Sequence, residues 1–144
     1  MKENINVSVP RPEFPDPQLR RENWLNLNGE WEFEIDLTGE KNSYSERTFQ
    51  TEHFSKKIIV PFAPESDLSG IGYKGFMDAV LYRRDLKFPK SFDGKRKILH
   101  FGAVDHKATV YVNGKLVGTH VGGYWPFSFD ITDYLTGTDD YVTV

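Results

Sequence analysis

The chain has no cysteine at any of its 144 positions. That excludes disulfide staples and thiolate metal sites, and it leaves the redox compartment open. It also has no run approaching the roughly 18 apolar residues that a membrane span needs, so no membrane partner is expected. Residues 1–18 lack the apolar stretch of a secretory signal, which favours a cytoplasmic location. A secreted or periplasmic location stays open if a signal peptide was removed. Basic charge is not in excess. The net charge is −3, and the lysine-rich pieces at 54–57 and 94–97 are short solvated faces, which argues against a nucleic-acid partner. Finally, no segment keeps a helical period long enough for a standard helix.

What the chain does have is aromatic surface and turn chemistry. Tyr, Trp and Phe together make up 15% of it, enough to fill a β core and leave a few rings for a site. The proline-rich residues 1–22 cannot join a sheet interior, because proline lacks the ladder N–H, so they read as an extended arm. Residues 23–144 read as one domain of short strands. In 30–36, Trp31, Phe33 and Ile35 fall on one face, with Glu30, Glu32, Glu34 and Asp36 on the other. Further strands are expected in 56–60, 79–88, 96–101, 107–112, 115–120, 127–131 and 140–144. Pro61 and Pro89 act as stops. Asn113-Gly114 is the pair favoured for a two-residue type I′ hairpin, and 130–135 reads as one helical turn that Asp130 or Thr132 can cap. About eight strands at short spacing indicate an all-β sandwich of jelly-roll type. The chain stops inside its last strand, so that strand is expected to be truncated and to form an unfinished edge, and the chain to be a fragment of a longer protein.

The order of motifs is informative. "NLNGEWEFEID", "VPFAPESDLSGIG", "LYRRDLKFP" and "HFGAVDHKATVYVNGKLVGTHVGGYWPFSFDITDYL" resemble, in sequence, the N-terminal sugar-binding domain of glycoside hydrolase family 2. That family contains β-galactosidases, β-glucuronidases and β-mannosidases, and the likeness runs from Trp24 to the last residue. The resemblance implies a jelly roll of galactose-binding type, followed in a parent enzyme by an immunoglobulin-like domain and a TIM barrel. The barrel would carry both catalytic carboxylates, so no catalytic residue is assigned here. Some family members place an Asp in the loop after the hairpin; aligned on the hairpin, that position is Gly122, and the acid is missing. The "GGYWPF" version of the loop is closer to the β-glucuronidase branch.

The candidates for a sugar-pocket rim are Arg84, Tyr124, Trp125, His120, Asp67 and Tyr73. Tyr124 and Trp125 follow two glycines and precede Pro126, so bulky rings sit on pliable backbone. One ring would cap the sandwich end, and the other would stack on a sugar ring or dock on the parent's barrel. Arg84 interrupts the apolar row Val80, Tyr82, Leu86 and Phe88. It needs either a carboxylate partner such as Asp105 or a role as a clamp for hydroxyl or carboxylate groups. His120 and His106 flank the hairpin without further ligands, so no metal is expected. Asp67 and Tyr73 share the Gly- and Ser-rich loop 63–79 with Glu65 and Ser66. That loop forms a pocket edge, or its polar groups cap turns. Turn and cap roles also account for Asp130, Asp133, Asp139 and Asp140.

The expected function is therefore non-catalytic: a sugar-binding, substrate-access domain of a retaining β-glycosidase acting on terminal β-linked sugars. A carbohydrate substrate and the parent's own downstream domains are its partners, no cofactor is expected, and homo-oligomerisation is left open. The alternatives are a stand-alone carbohydrate-binding module and a packing domain between domains or subunits.

Overall fold

The computed structural model of the chain describes residues 9–13, 21–36 and 54–144. Most of the expected arm, and the polar stretch 38–53, lie outside the described residues. Within them the chain is all-β, in eight antiparallel strands: β1 Gly29–Asp36, β2 Lys56–Val60, β3 Ala79–Asp85, β4 Ile98–Phe101, β5 Lys107–Val112, β6 Lys115–Val121, β7 Phe127–Asp130 and β8 Tyr141–Thr143. A six-stranded sheet runs in the order β2-β1-β3-β8-β5-β6, and β4 pairs with β7 in a second sheet. The helical content of the described residues is three 3₁₀ turns, at Asp67–Ser69, Lys90–Phe92 and Thr132–Tyr134.

The alternation in β1 is what builds the core. Trp31, Phe33 and Ile35 are buried, with Phe33 fully enclosed. Phe33 faces Tyr82 of β3, and Trp31 faces Ile58 of β2. Val110 and Val112 of β5 and Val142 of β8 continue the same apolar layer, all at 0% exposure. Burying one such side chain contributes about 1.5–3 kcal/mol, so this layer supplies most of the driving force. The second sheet closes over it. Phe127 stacks on Phe101 with centroids 4.7 Å apart and on His120 at 4.2 Å. Phe129 fits where Gly118 has no side chain: a Cβ there would lie 2.5 Å from the Phe129 ring.

The hairpin forms as the sequence dictates. Asn113 and Gly114 have φ of 52° and 74°, the left-handed geometry of a type I′ turn. Asn113 also ties the turn to distant chain. Its Nδ2 donates to the Tyr134 carbonyl at 2.9 Å and to Asp140 Oδ1 at 2.6 Å, and its Oδ1 accepts from the Tyr141 N–H at 3.0 Å. Asp140 is buried and also accepts from the Thr136 N–H at 2.7 Å, the Thr136 hydroxyl at 2.9 Å and the Gly137 N–H at 2.9 Å. Burial pushes its carboxyl up, but these donors outweigh that and hold it below the ordinary range. Asp130 accepts from the Thr132 N–H and hydroxyl and from Arg96, so the turn roles expected for Asp130 and Asp140 hold.

One expectation is corrected. The last strand is not an unfinished edge: β8 lies inside the larger sheet, with β3 on one side and β5 on the other. Tyr82 and Val144 exchange both backbone hydrogen bonds at 2.9 Å, so the ladder continues to the final residue.

Candidate functional site

Register decides which loops meet. Arg83 of β3 and Tyr111 of β5 both lie opposite Thr143 of β8, so β3 and β5 run in the same direction and start at the same end of the sheet. Val121, the last residue of β6, faces Lys107 at that end. The loop that leads into Ala79, the 102–106 loop and the 122–126 loop therefore share one end of the sandwich. Arg84 sits level with Val142 and Val112, toward the other end.

At the shared end the 122–126 loop is held by its neighbour. The Gly122 N–H donates to the His106 carbonyl at 2.8 Å, with Gly122 at φ +128°, a conformation that strains any residue with a side chain. Gly123 lies against Asp105: a Cβ on Gly123 would be 2.5 Å from Asp105 Oδ1. Pro126 then returns the chain to β7. The rings carried by this clamped segment point outward, with Tyr124 92% and Trp125 72% exposed. This corrects one half of the divided reading: neither ring caps the end of this sandwich. The end of the sandwich is filled instead by Phe127, Phe101 and His120. His120 lies in that stack with its Nε2 buried and without a hydrogen-bond partner, so it supports the loop from beneath.

Arg84 is elsewhere, and the proposed bridge to Asp105 is absent. Its Nη1 donates to the carbonyls of Asn28 at 3.3 Å and Glu30 at 3.1 Å, and its guanidinium lies 6.0 Å from the Trp31 ring centroid. Where β1 begins at Gly29, these two carbonyls are within reach and Asp105 is at the opposite end of the sheet. Burial lowers the Arg84 pKa, while the charges of Asp85 and Glu30 pull the other way. Arg84 lines a cleft of 380 Å³ with Arg83, Lys57, Glu30 and Glu32. A larger cleft of 1910 Å³ runs along the inner side of the sheets. Asp105 and His106 border it, and the Tyr124 and Trp125 side chains do not.

Asp67 and Tyr73 each lie against a glycine of their own loop. The Tyr73 N–H donates to the Pro64 carbonyl at 3.0 Å, and the Tyr73 phenol folds over Gly75. Asp67 Oδ1 lies 3.0 Å from where a Gly72 Cβ would be, and Ser66 Oγ caps the 3₁₀ turn by accepting from the Leu68 N–H at 3.2 Å. Above this loop's first residues, burial and the charge of Glu65 push the Tyr82 phenol up to about 12. Of the six rim candidates, the fold thus brings Tyr124, Trp125 and His120 together and leaves Arg84 apart. Asp105 is the group that sequence reasoning misplaced. Its seat against Gly123 is a through-space contact with no signature in spacing. Among the described residues, no group of three or more His, Cys, Asp or Glu is placed to hold a metal ion.

Comparison with known proteins agrees with this architecture. Residues 48–144 match the family described as glycosyl hydrolases family 2, sugar binding domain. A β-galactosidase from Thermoanaerobacter pseudethanolicus is 34% identical over 116 residues, covering 77% of this chain and 14% of that protein. A β-glucuronidase from Paenibacillus borealis is 31% identical over 134 residues, covering 91% of this chain and 22% of that protein. Among solved structures, a β-glucuronidase of an uncultured Clostridium sp. superposes with a TM-score of 0.68 at 28% identity, over 87% of this chain and 22% of that one. The chain thus spans less than a quarter of each of these relatives.

Proposed function

Because the chain belongs to the sugar-binding domains of glycosyl hydrolases family 2, we propose that it is the non-catalytic, substrate-access part of a retaining β-glycosidase. That enzyme removes terminal β-linked sugars and is of the β-galactosidase or β-glucuronidase type. One observation carries the reading: a chain that matches this family over residues 48–144 offers a clamped, solvent-facing pair of aromatic rings at one end of its sandwich. Such an end suits a wall of a sugar pocket, since it presents flat apolar surface without needing to move.

Retaining hydrolysis needs an acid/base carboxyl and a nucleophilic carboxylate about 5–5.5 Å apart, with the acid kept protonated near neutral pH. The described carboxylates with shifted pKa values go the wrong way for that acid. Glu13, Glu34, Asp130 and Asp140 are all lowered by donors or cations that stabilise their charged forms. Following the family resemblance, bond cleavage is assigned to a barrel domain of the parent enzyme, with an immunoglobulin-like domain between, and this chain bounds the approach of the sugar. The test is hydrolysis of nitrophenyl β-galactoside and β-glucuronide by the purified 144-residue chain and by the enzyme encoded by its full gene. The full enzyme is expected to release nitrophenol from one of them and the chain from neither. Turnover by the chain alone, abolished by changing one of its own carboxylates, overturns the proposal.

A further inference from the structure

We infer that Asn113 is a fold-gated deamidation site: the closed turn protects its amide, and opening of the segment 134–141 releases it to a hydrolysis that the fold does not reverse. This goes beyond the carbohydrate reading and does not depend on it.

The sequence contains the pair Asn-Gly twice, at 28–29 and 113–114. A glycine after asparagine leaves the next backbone nitrogen unhindered, because no side chain stands beside it. The reaction runs in two steps. The Gly114 nitrogen gives up its proton and attacks Asn113 Cγ; a C–N bond forms, the Cγ–Nδ2 bond breaks, and Nδ2 leaves as ammonia with that proton. Water then opens the resulting succinimide at either carbonyl, leaving aspartate or isoaspartate at 113.

The folded chain opposes the first step. For the attack, Cγ must swing toward Gly114, and the side chain is pinned at both ends of its amide. Nδ2 donates to the Tyr134 carbonyl at 2.9 Å and to Asp140 Oδ1 at 2.6 Å, while Oδ1 accepts from the Tyr141 N–H at 3.0 Å. Gly114 is itself buried, so its nitrogen is shielded from the water and base that would take its proton. All three partners lie on the segment 134–141, far from the turn in sequence. Protection therefore lasts only while that segment is docked, and local opening of a segment costs less than unfolding the whole chain.

The product does not fit where the amide did. An acid at 113 sets a carboxylate oxygen where Nδ2 stands, 2.6 Å from Asp140 Oδ1 and 2.9 Å from the Tyr134 carbonyl. Asp140 is 4% exposed, so the two like charges meet with little water between them, which raises the energy of the docked state. An isoaspartate instead adds a backbone carbon to a two-residue turn built on the left-handed angles of Asn113 and Gly114. Either product leaves the segment undocked, so the site keeps a record of chains that have opened.

The test follows the full 144-residue chain by peptide mass mapping in mildly alkaline buffer, with and without denaturing urea. Conversion at Asn113 is expected to be at least about tenfold slower in the native chain than in urea, since only the open fraction reacts. Asp140→Ala, in native buffer, should speed conversion at Asn113 about tenfold and leave Asn28 within about twofold of the parent. Asn28 donates to the Pro10 and Arg11 carbonyls, so it reports the same chemistry outside the gate. For the product, Asn113→Asp should unfold at a lower urea concentration than Asn113→Gly, which keeps the left-handed turn and adds no charge. Equal Asn113 rates in the native and unfolded parent refute the gate, a comparison that needs no variant to fold. The gate also fails if Asp140→Ala leaves the Asn113 rate unchanged, or speeds Asn28 by the same factor, which assigns the effect to global unfolding. Asn113→Asp as stable as Asn113→Gly overturns the irreversible step.

Discussion

Replacing Asp140 with alanine probes how the hairpin and the last strand are locked together. The carboxylate is 4% exposed and collects the Thr136 N–H, the Gly137 N–H, the Thr136 hydroxyl and Asn113 Nδ2. A hydrogen bond to a charged group contributes about 1.5–3 kcal/mol. Thr136 and Gly137 are exposed residues, so water replaces part of what their amides lose, and Asn113 Nδ2 keeps the Tyr134 carbonyl. The net cost of Asp140→Ala is then about 2–4 kcal/mol. With a urea m-value of about 2 kcal/mol/M, the unfolding midpoint followed by tryptophan fluorescence should fall by about 1–2 M. Asp140→Asn should lose about half as much, since its amide nitrogen faces donors. The pH dependence has a definite sign. The folded pKa lies below the unfolded one, so the contribution is full above about pH 4 and is lost as pH falls through the folded value. The gap between parent and Asp140→Ala should therefore narrow in acid. A midpoint within about 0.2 M of the parent at neutral pH, with an unchanged m-value, would show that the loop 134–140 is held by something else.

Three further outcomes are expected. The Asp130 carboxyl, held at about 2 by the Thr132 hydroxyl and N–H and then by Arg96, should titrate there in NMR; Thr132→Val should move it toward the ordinary range, and its stabilising effect should vanish only as pH falls through about 2. Gly118→Ala drives a methyl group into the Phe129 ring and should cost about 1–3 kcal/mol by thermal or urea unfolding, a loss that Phe129→Leu relieves in the double variant. Trp125→Ala should leave the unfolding midpoint within about 0.5 kcal/mol of the parent, whereas Phe33→Ala should cost about 3–5 kcal/mol; a large Trp125 effect would mean that the ring supports the fold rather than a ligand.

Local chemistry was legible in the sequence. The Trp31-Phe33-Ile35 alternation, the Asn113-Gly114 turn, the stop at Pro61 and the short turn at 132–134 each depend on neighbours a few residues away, and each is found where the pattern puts it. Partners chosen through space were not legible. The sequence showed that Arg84 interrupts an apolar row, but backbone carbonyls carry no residue code, so the Asn28 and Glu30 acceptors were invisible and Asp105 stood in for them. Similarly, the glycines at 122 and 123 signalled unusual backbone, yet only the packed loops reveal that the aromatic pair faces water while His120 and Phe127 fill the end. The interior position of β8 followed the same logic, because pairing order across a sheet is a long-range choice.

That position governs how the chain can assemble. Strands β2-β1-β3 and β5-β6 can each form early, as three-strand and two-strand pieces, but among the described residues no backbone ladder joins them until the segment 141–144 slots between. The wider sheet is a zip whose slider follows its other five described strands in chain order. Such late, distant closure slows folding, and in the interval both inner flanks stand open to the wrong neighbour. The few residues after Asp140 thus decide when two half-built layers become one body.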